Sequence, residues 1–327
     1  WVVGYLFILL GAGDVIQLAR KVAQEFETFR KVRDLAKGEG TVRWYEPMQK
    51  HTTIRIGGPA QVWFEPETEE ALGRVVAMCG AEGIPLTIVG RGSNLLVRDG
   101  GIPGVCVHFG APGMSRIEVV GGKIRAGAGA RLKQIVAVAK ANGITGLEFM
   151  EGIPGALGGA MRMNAGAMES WTFETVESVR VMDRKGRVSE VVRKEFEVRY
   201  RKVPRLVEEI AVGAVLHGKP GNPEEIAEKL KRYSRKRWDS QPAAPSAGCI
   251  FKNAEKIPAG KLIEELGLKD THVGGARVSP VHGNFIVNQG GAKAVDVLAL
   301  MEQIRAKART DRGIDLEPEV IVVGEDE

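Results

Sequence analysis

Between Glu151 and Ala167 the chain reads EGIPGALGGAMRMNAGA, and this segment constrains the fold more than any other. Gly152, Gly155, Gly158, Gly159 and Gly166 fall within 15 residues together with Pro154. A flexible linker of that length would be polar and serine-rich, whereas Ile153, Leu157 and Met161 give this one apolar anchors. The pattern predicts a rigid, tightly turned backbone lying against a flat ligand or its diphosphate. A second glycine loop, Val89-Gly-Arg-Gly-Ser-Asn-Leu-Leu96, directly follows an apolar run that reads as a strand. Gly90 and Gly92 allow positive φ there, so backbone N–H groups can approach an anion, and Ser93 and Asn94 add short polar groups. Taken alone, that loop serves equally well as a connecting turn.

The chain is long enough, at 327 residues, for two or three domains that each bury a core. Apolar residues at 44% and charged residues at 27% exclude disordered, collagen-like and low-complexity classes. Cys79, Cys106 and Cys249 are far apart, without a CxxC or a His pair at ligand spacing. Neither a metal site nor a disulfide framework is expected, and a reducing cytoplasm fits. The net charge of +5 decides nothing by itself. The basic run Lys229–Arg237 follows Asn222-Pro-Glu-Glu, a helix-start pattern, and no aromatic stacking motif interleaves with it, so no nucleic-acid partner is expected.

Trp1 to Gly13 is apolar for about a dozen residues, short of the roughly 20 that cross a bilayer, and no basic region precedes it. No membrane insertion is expected. Leu6–Leu10, the turn Gly11-Ala-Gly13 and an amphipathic run to Phe29 read as strand, turn and helix. This mimics a dinucleotide fingerprint, but Ile16 stands where the third glycine belongs. The string LFILLGAGDVIQLARKV instead resembles the closing strand and helix of UDP-N-acetylmuramate–alanine ligases. That resemblance, with no initiating Met, implies a fusion remnant or misplaced start, and a fusion or neighbour relationship to such a ligase. Residues 31–45 are polar and read as a linker or lead-in.

From residue 46 strand and helix alternate. Helices are expected at 68–79, 131–139, 224–236, 258–267 and 293–309, the first capped by Thr68. Strands are expected at 85–89, 104–109, 177–182, 187–192, 210–216, 284–288 and 319–323. Pro and Gly break the pattern at 217–223. The reading is an α+β protein divided as 1–45, 46–110, 111–217 and 218–327.

With His51-Thr-Thr-Ile-Arg-Ile-Gly-Gly-Pro-Ala60 upstream, the two glycine loops resemble UDP-N-acetylenolpyruvoylglucosamine reductases, in the family's order from about residue 46 onward. The resemblance implies a two-part FAD-binding fold of the vanillyl-alcohol-oxidase type and a C-terminal α/β substrate domain. It implies FAD and NADPH as cofactors, UDP-N-acetylglucosamine enolpyruvate as substrate, and a place in cytoplasmic peptidoglycan synthesis. The residues it implies for FAD are Arg55, Gly57, Gly90, Gly92, Ser93, Asn94, Leu95, Gly152, Ile153, Gly155, Gly158, Gly159, Asn164, Ala165, Gly166 and Arg237.

Reduction of an enolpyruvyl group builds negative charge beside a carboxylate, so the site needs a cation, an acid and a proton donor for carbon. By resemblance Arg201, in Phe196-Glu-Val-Arg-Tyr-Arg201, stabilises the enolate. Cys249, in Ser246-Ala-Gly-Cys-Ile-Phe-Lys-Asn253, stands where the family carries Ser or Cys as donor, and Glu319, in Leu316-Glu-Pro-Glu319, assists as an acid or through the polarised enolate. Tyr200, Lys252, Asn253 and His282 are implied on the substrate side. Each has an ordinary alternative: a lone Cys is usually a small buried hydrophobe, and Glu-Pro-Glu before a strand is often a turn. The stretch Leu216–Asn222 is too short for the family's Tyr-bearing lid loop, which implies the loop-lacking branch, and Met168-Glu-Ser replaces a more usual Tyr-Gly. An oxidase of the same fold and a binding-only protein are the competing readings.

Overall fold

The computed structural model describes residues 12–326. The expected strand at Leu6–Leu10 lies outside the described residues.

The first unit is a four-stranded sheet ordered Gly40–Pro47, Pro59–Pro66, Ile102–His108, Leu86–Val89; its first pair is antiparallel and the others parallel. Helix Glu69–Glu82 makes the crossover, and the Thr68 hydroxyl caps it by accepting from the Ala71 N–H at 3.1 Å. Alternating residues bury both faces of the sheet. Val62 and Phe64 meet Leu72, Val75 and Val76 of that helix, while Trp63 packs with Met48, Val89 and Val97 on the other side.

Residues 31–45 are not a linker. Helix Ala12–Ala36 runs on through them, and strand Gly40–Pro47 pairs along its length with Pro59–Pro66. Val32 and Ala36, four apart on one face, are buried in the first unit's core, and Phe29 stacks on Trp44. The charged residues that made the stretch look like a linker occupy the outer face; Lys31, for one, reaches Glu82 at 2.8 Å.

The second unit is an antiparallel sheet ordered Val188–Val192, Val176–Met182, Ile210–Leu216, Lys123–Gly127, Ile117–Val120. Helices Leu132–Ala141 and Leu157–Arg162 pack on it through Leu132, Ile135, Leu157 and Met161. The predicted break at 217–223 contains a short pairing, Lys219–Pro220 against Ile144–Thr145. The next helix, Pro223–Ser240, leans on this unit through Leu230 and Tyr233, with Lys229 3.1 Å from the buried Glu148.

The third unit pairs Ser246–Cys249, Phe285–Asn288, Ala276–Val278 and His272–Val273 in one antiparallel sheet beneath helices Ala259–Glu265 and Ala294–Arg312. The long helix takes a cap from another unit: the Asp99 carboxylate accepts from the N–H groups of Ala294 and Val295 at 2.8 and 3.0 Å. Strand Ile321–Val323 then crosses back and pairs in parallel with Leu95–Val97, next to the first glycine loop. Among the described residues no helix is long and apolar enough to cross a membrane.

Candidate active site

A cavity of about 680 Å³ opens where the three units meet, lined by both glycine loops, the 201 turn, the 237–241 helix end, Cys249 and Glu319. Its glycines are of two kinds. Gly92 has φ 60° and a Cβ there would lie 2.1 Å from the His51 carbonyl, so backbone packing demands glycine. A Cβ on Gly158 would press on Ala128 at 3.0 Å. Gly90 and Gly159 have ordinary φ, and a Cβ would come no nearer than 4.0 Å to Ala156 at Gly90 and would meet nothing at all within 4 Å at Gly159. Nothing in the protein's own packing requires glycine there; the freed space belongs to the cavity. Gly152 and Gly155 are nearly as open, at 3.7 Å from Arg237 and Ser93. This cradle, with apolar and cationic walls, suits a flat ring system carrying a diphosphate, and FAD fits that description.

Four sequence motifs are tied together behind the cradle. The Thr53 N–H donates to the Gly92 carbonyl at 3.2 Å and its hydroxyl donates to the Ser246 carbonyl at 2.6 Å. Asn94 donates through Nδ2 to the Glu319 carbonyl at 3.1 Å, and its own carbonyl accepts from the Ile321 N–H. The Ile250 carbonyl accepts from Glu319 N–H at 2.7 Å, and Lys252 N–H donates to the Glu317 carbonyl. Buried Asn284 brackets Phe251, accepting from its N–H at 2.9 Å and donating to its carbonyl at 2.7 Å.

This scaffold brings Arg201, Cys249 and Glu319 to one wall. Arg201 sits at φ 55° in the two-residue turn closed by the Arg199 and Lys202 backbone bonds, and Val203 N–H anchors that turn to the Arg162 carbonyl at 3.1 Å. A non-glycine residue held in that conformation is uncommon and stores strain. Arg201 Nε lies 2.8 Å from Glu319 Oε1, and both side chains are mostly buried. The N–H does not point along that line and has no hydrogen-bond acceptor, so the contact is an ion pair held by charge. Burial raises the Glu319 carboxyl above its ordinary value, with Arg201 and Lys252 pulling the other way. Burial likewise pushes the Cys249 thiol up to about 12; Glu319 reinforces the shift, while Arg201 and Arg237 oppose it. Cys249 is therefore a protonated, neutral thiol at neutral pH, in the state a proton donor needs.

Most of the expected cofactor residues line this cavity: Gly90, Gly92, Ser93, Asn94, Leu95, Gly152, Ile153, Gly155, Gly158, Gly159, Ala165, Gly166 and Arg237. Three do not. Arg55 is exposed and does not line the cavity. Gly57, at φ 129°, is required by Val97, whose Cβ would lie 2.7 Å from an added one. Asn164 is buried and accepts from the Phe173 N–H at 3.1 Å, a structural bond.

The substrate-side expectations also lie outside the cavity lining. Tyr200 is about half exposed, its ring beneath the Arg201 guanidinium at 5.1 Å. Lys252 pairs with Glu317. Asn253 accepts from the Ala259 N–H at 3.1 Å and so caps a helix start. His282 packs edge-on against Phe285, accepts from the Asn284 N–H through Nδ1, and is held neutral by burial. Sequence reasoning missed Arg91, Arg162 and Arg184 on the cavity wall, and Thr53 and Asn284 behind it. Arg162 stands inside the glycine segment, and its charge among small residues was the available signal.

A glycine cradle beside a mixed sheet, joined to an antiparallel unit and closed by a third, defines an FAD-binding oxidoreductase. Residues 60–191 match the FAD binding domain model, and residues 241–323 match the C-terminal domain of UDP-N-acetylenolpyruvoylglucosamine reductase. A reductase of that name from Geotalea uraniireducens is 40% identical over 297 residues, covering 90% of this chain and 98% of the relative. One from Caldanaerobacter subterraneus is 41% identical, covering 90% and 97%. The crystal structure of the Thermus caldophilus enzyme superposes with a TM-score of 0.75 at 35% identity, covering 87% of this chain and 99% of the other. The chain belongs to the UDP-N-acetylenolpyruvoylglucosamine reductase family.

Proposed function

We propose that this chain reduces the enolpyruvyl group of UDP-N-acetylglucosamine enolpyruvate to give UDP-N-acetylmuramate, with FAD in the glycine cradle and NADPH as reductant. The observation that carries the reading is the meeting of Arg201, Cys249 and Glu319 on the wall of the cavity that the open glycines line. When bound, FAD supplies the hydride relay from NADPH to the substrate's methylene carbon.

The chain's own residues then account for the rest. As the C–H bond forms at the methylene, the π electrons move to the adjacent carbon and its carboxylate. The Arg201 guanidinium, already charge-paired and desolvated, stabilises that charge without reorganising. Cys249 Sγ–H delivers the proton to the carbon and is left as a thiolate, which Arg201 and Arg237 face. Glu319, ion-paired with Arg201, keeps the guanidinium in place before charge develops, and burial raises its carboxyl so that it takes up a proton more readily than an exposed one.

The connector between Leu216 and Pro223 holds only the Lys219–Pro220 pairing before the next helix starts, which supports the loop-lacking branch of the family. The segment Leu6–Val22 supports kinship with the end of a UDP-N-acetylmuramate–alanine ligase by its string alone. Three free cysteines suit the cytoplasm, where the soluble nucleotide substrate would be met and peptidoglycan precursors made.

The experiment is anaerobic. Protein loaded with FAD is bleached with one equivalent of NADPH, and UDP-N-acetylglucosamine enolpyruvate is then added. Return of the flavin absorbance without oxygen is expected. A flavin that stays reduced until air enters would favour an oxidase, and failure to bind flavin would favour a binding-only protein.

A further inference from the structure

The cavity holds a second cationic group that the reaction chemistry does not use. Arg162 ends the short helix Leu157–Arg162 that rises from the cradle, and Arg184 stands in the turn between strands Val176–Met182 and Val188–Val192. Both line the cavity. Burial and the neighbouring Arg184 charge both disfavour the Arg162 guanidinium.

Neither Arg162 nor Arg184 makes an ion pair or side-chain hydrogen bond among the described residues. The obvious carboxylates are taken. Asp183 accepts from the Lys185 and Arg187 N–H groups and pairs with Arg187 at 2.7 Å. Glu209 pairs with Arg205 at 2.7 Å. Glu208 is on the same wall and makes an ion pair with neither arginine. Two like charges facing one cavity without a counterion are unfavourable in the free protein and favourable once an anion arrives.

We infer that Arg162 and Arg184 form a clamp for the adenosine-side phosphate of the bound dinucleotide. The inference rests on the functional reading above. If the reacting ring lies against Cys249 and Arg201, the rest of the dinucleotide must extend along the cradle. Gly155 and Gly159 belong to the same short run of chain that ends at Arg162. A guanidinium at that end offers paired donors to a phosphate, which a lysine would meet only as a point charge.

Flavin fluorescence titration of apoprotein tests this. Arg162→Gln and, separately, Arg184→Gln should each raise the FAD Kd about tenfold, the loss expected for one charge-assisted contact. The Kd for FMN, which lacks the adenosine-side phosphate, should stay unchanged. Arg162→Lys should recover part of the loss. Arg184 is exposed in a turn, so its variant keeps the test valid if Arg162→Gln fails to fold. Unchanged FAD affinity in the folded variants would overturn the clamp, and so would equal losses for FMN and FAD. A raised KM for NADPH with an unchanged FAD Kd would give the pair to the reductant instead. If the unaltered chain binds no FAD, the functional reading falls together with the clamp.

Discussion

Arg201 and Glu319 meet at 2.8 Å without a hydrogen bond aligned between them, one from a strained turn of the second unit and the other from the segment leading into the final strand. The pair is poised rather than locked. Arg201 Nε is buried, desolvated and without an acceptor in line. Glu319→Gln should therefore leave flavin reduction by NADPH intact and slow reoxidation by substrate by 10²–10⁴, the range for a general acid. Stopped-flow traces of the two half-reactions separate these outcomes; equal slowing in both would give Glu319 a structural role only.

The neutral state of Cys249 makes a similar division. Cys249→Ala should spare the reductive half-reaction and slow the substrate half-reaction by at least 10²-fold, while Cys249→Ser retains part of the rate. The same burial should make the thiol a poor nucleophile, so iodoacetamide at pH 7.5 should label it far more slowly than free cysteine. Rapid labelling would contradict the pKa near 12.

The two kinds of glycine give opposite outcomes for the same change. Gly159→Ala lies in a helix with nothing within 4 Å, so it should stabilise the apoprotein by about 0.5–1 kcal/mol and still weaken FAD binding. Gly92→Ala should lower the melting temperature, because a Cβ would strike the His51 carbonyl in a left-handed backbone. Thermal melts and flavin titrations on both variants check this; loss of stability in Gly159→Ala would remove the argument for a cradle.

Asn284→Ala would leave the Phe251 N–H and carbonyl unpaired in the core. Burying such groups costs about 1–3 kcal/mol each, so the melting temperature should fall markedly. Flavin affinity should change less than the substrate half-reaction, because Asn284 orders the strand that carries Cys249 and not the cradle.

Stability should fall at alkaline pH. Burial pushes the thiols of Cys79 and Cys249 up to about 12 and raises that of Cys106 as well, while unfolded thiols titrate near 8.5. Above that value the unfolded chain binds fewer protons than the folded one, so unfolding is favoured as pH rises. The contribution is complete below about pH 8.5 and is lost progressively towards 12. Melting temperatures measured from pH 8 to 10 should decline, and the decline should be shallower in Cys106→Ala.

Local signals carried most of the fold. Thr68 before two glutamates marks a helix that the structure caps as expected, and strand Ile210–Leu216 agrees with its apolar run to the residue. The chemistry of Arg201, Cys249 and Glu319 was legible only through resemblance, because no periodicity brings three such distant residues together. Residues 31–45 misled because Val32 and Ala36 are spaced for one buried face among charges, a sparse stripe that reads as polar. The cap on helix Ala294–Arg312 was illegible for another reason: its carboxylate belongs to Asp99 in a different unit. Arg162 and Arg184 matter through the carboxylates they lack, and unpaired charge is visible only once every neighbour is placed.

The parallel pairing of Ile321–Val323 with Leu95–Val97 has a consequence for synthesis. The glycine loops leave the ribosome long before the third unit is made, and Asn94 has no Glu319 to hold until the chain has passed residue 319. The glycines that line the cavity and the Glu319 carboxylate on its wall are thus made at opposite ends of synthesis. One late strand, pairing back onto the first unit, is what completes the cavity wall, a contact of high sequence separation.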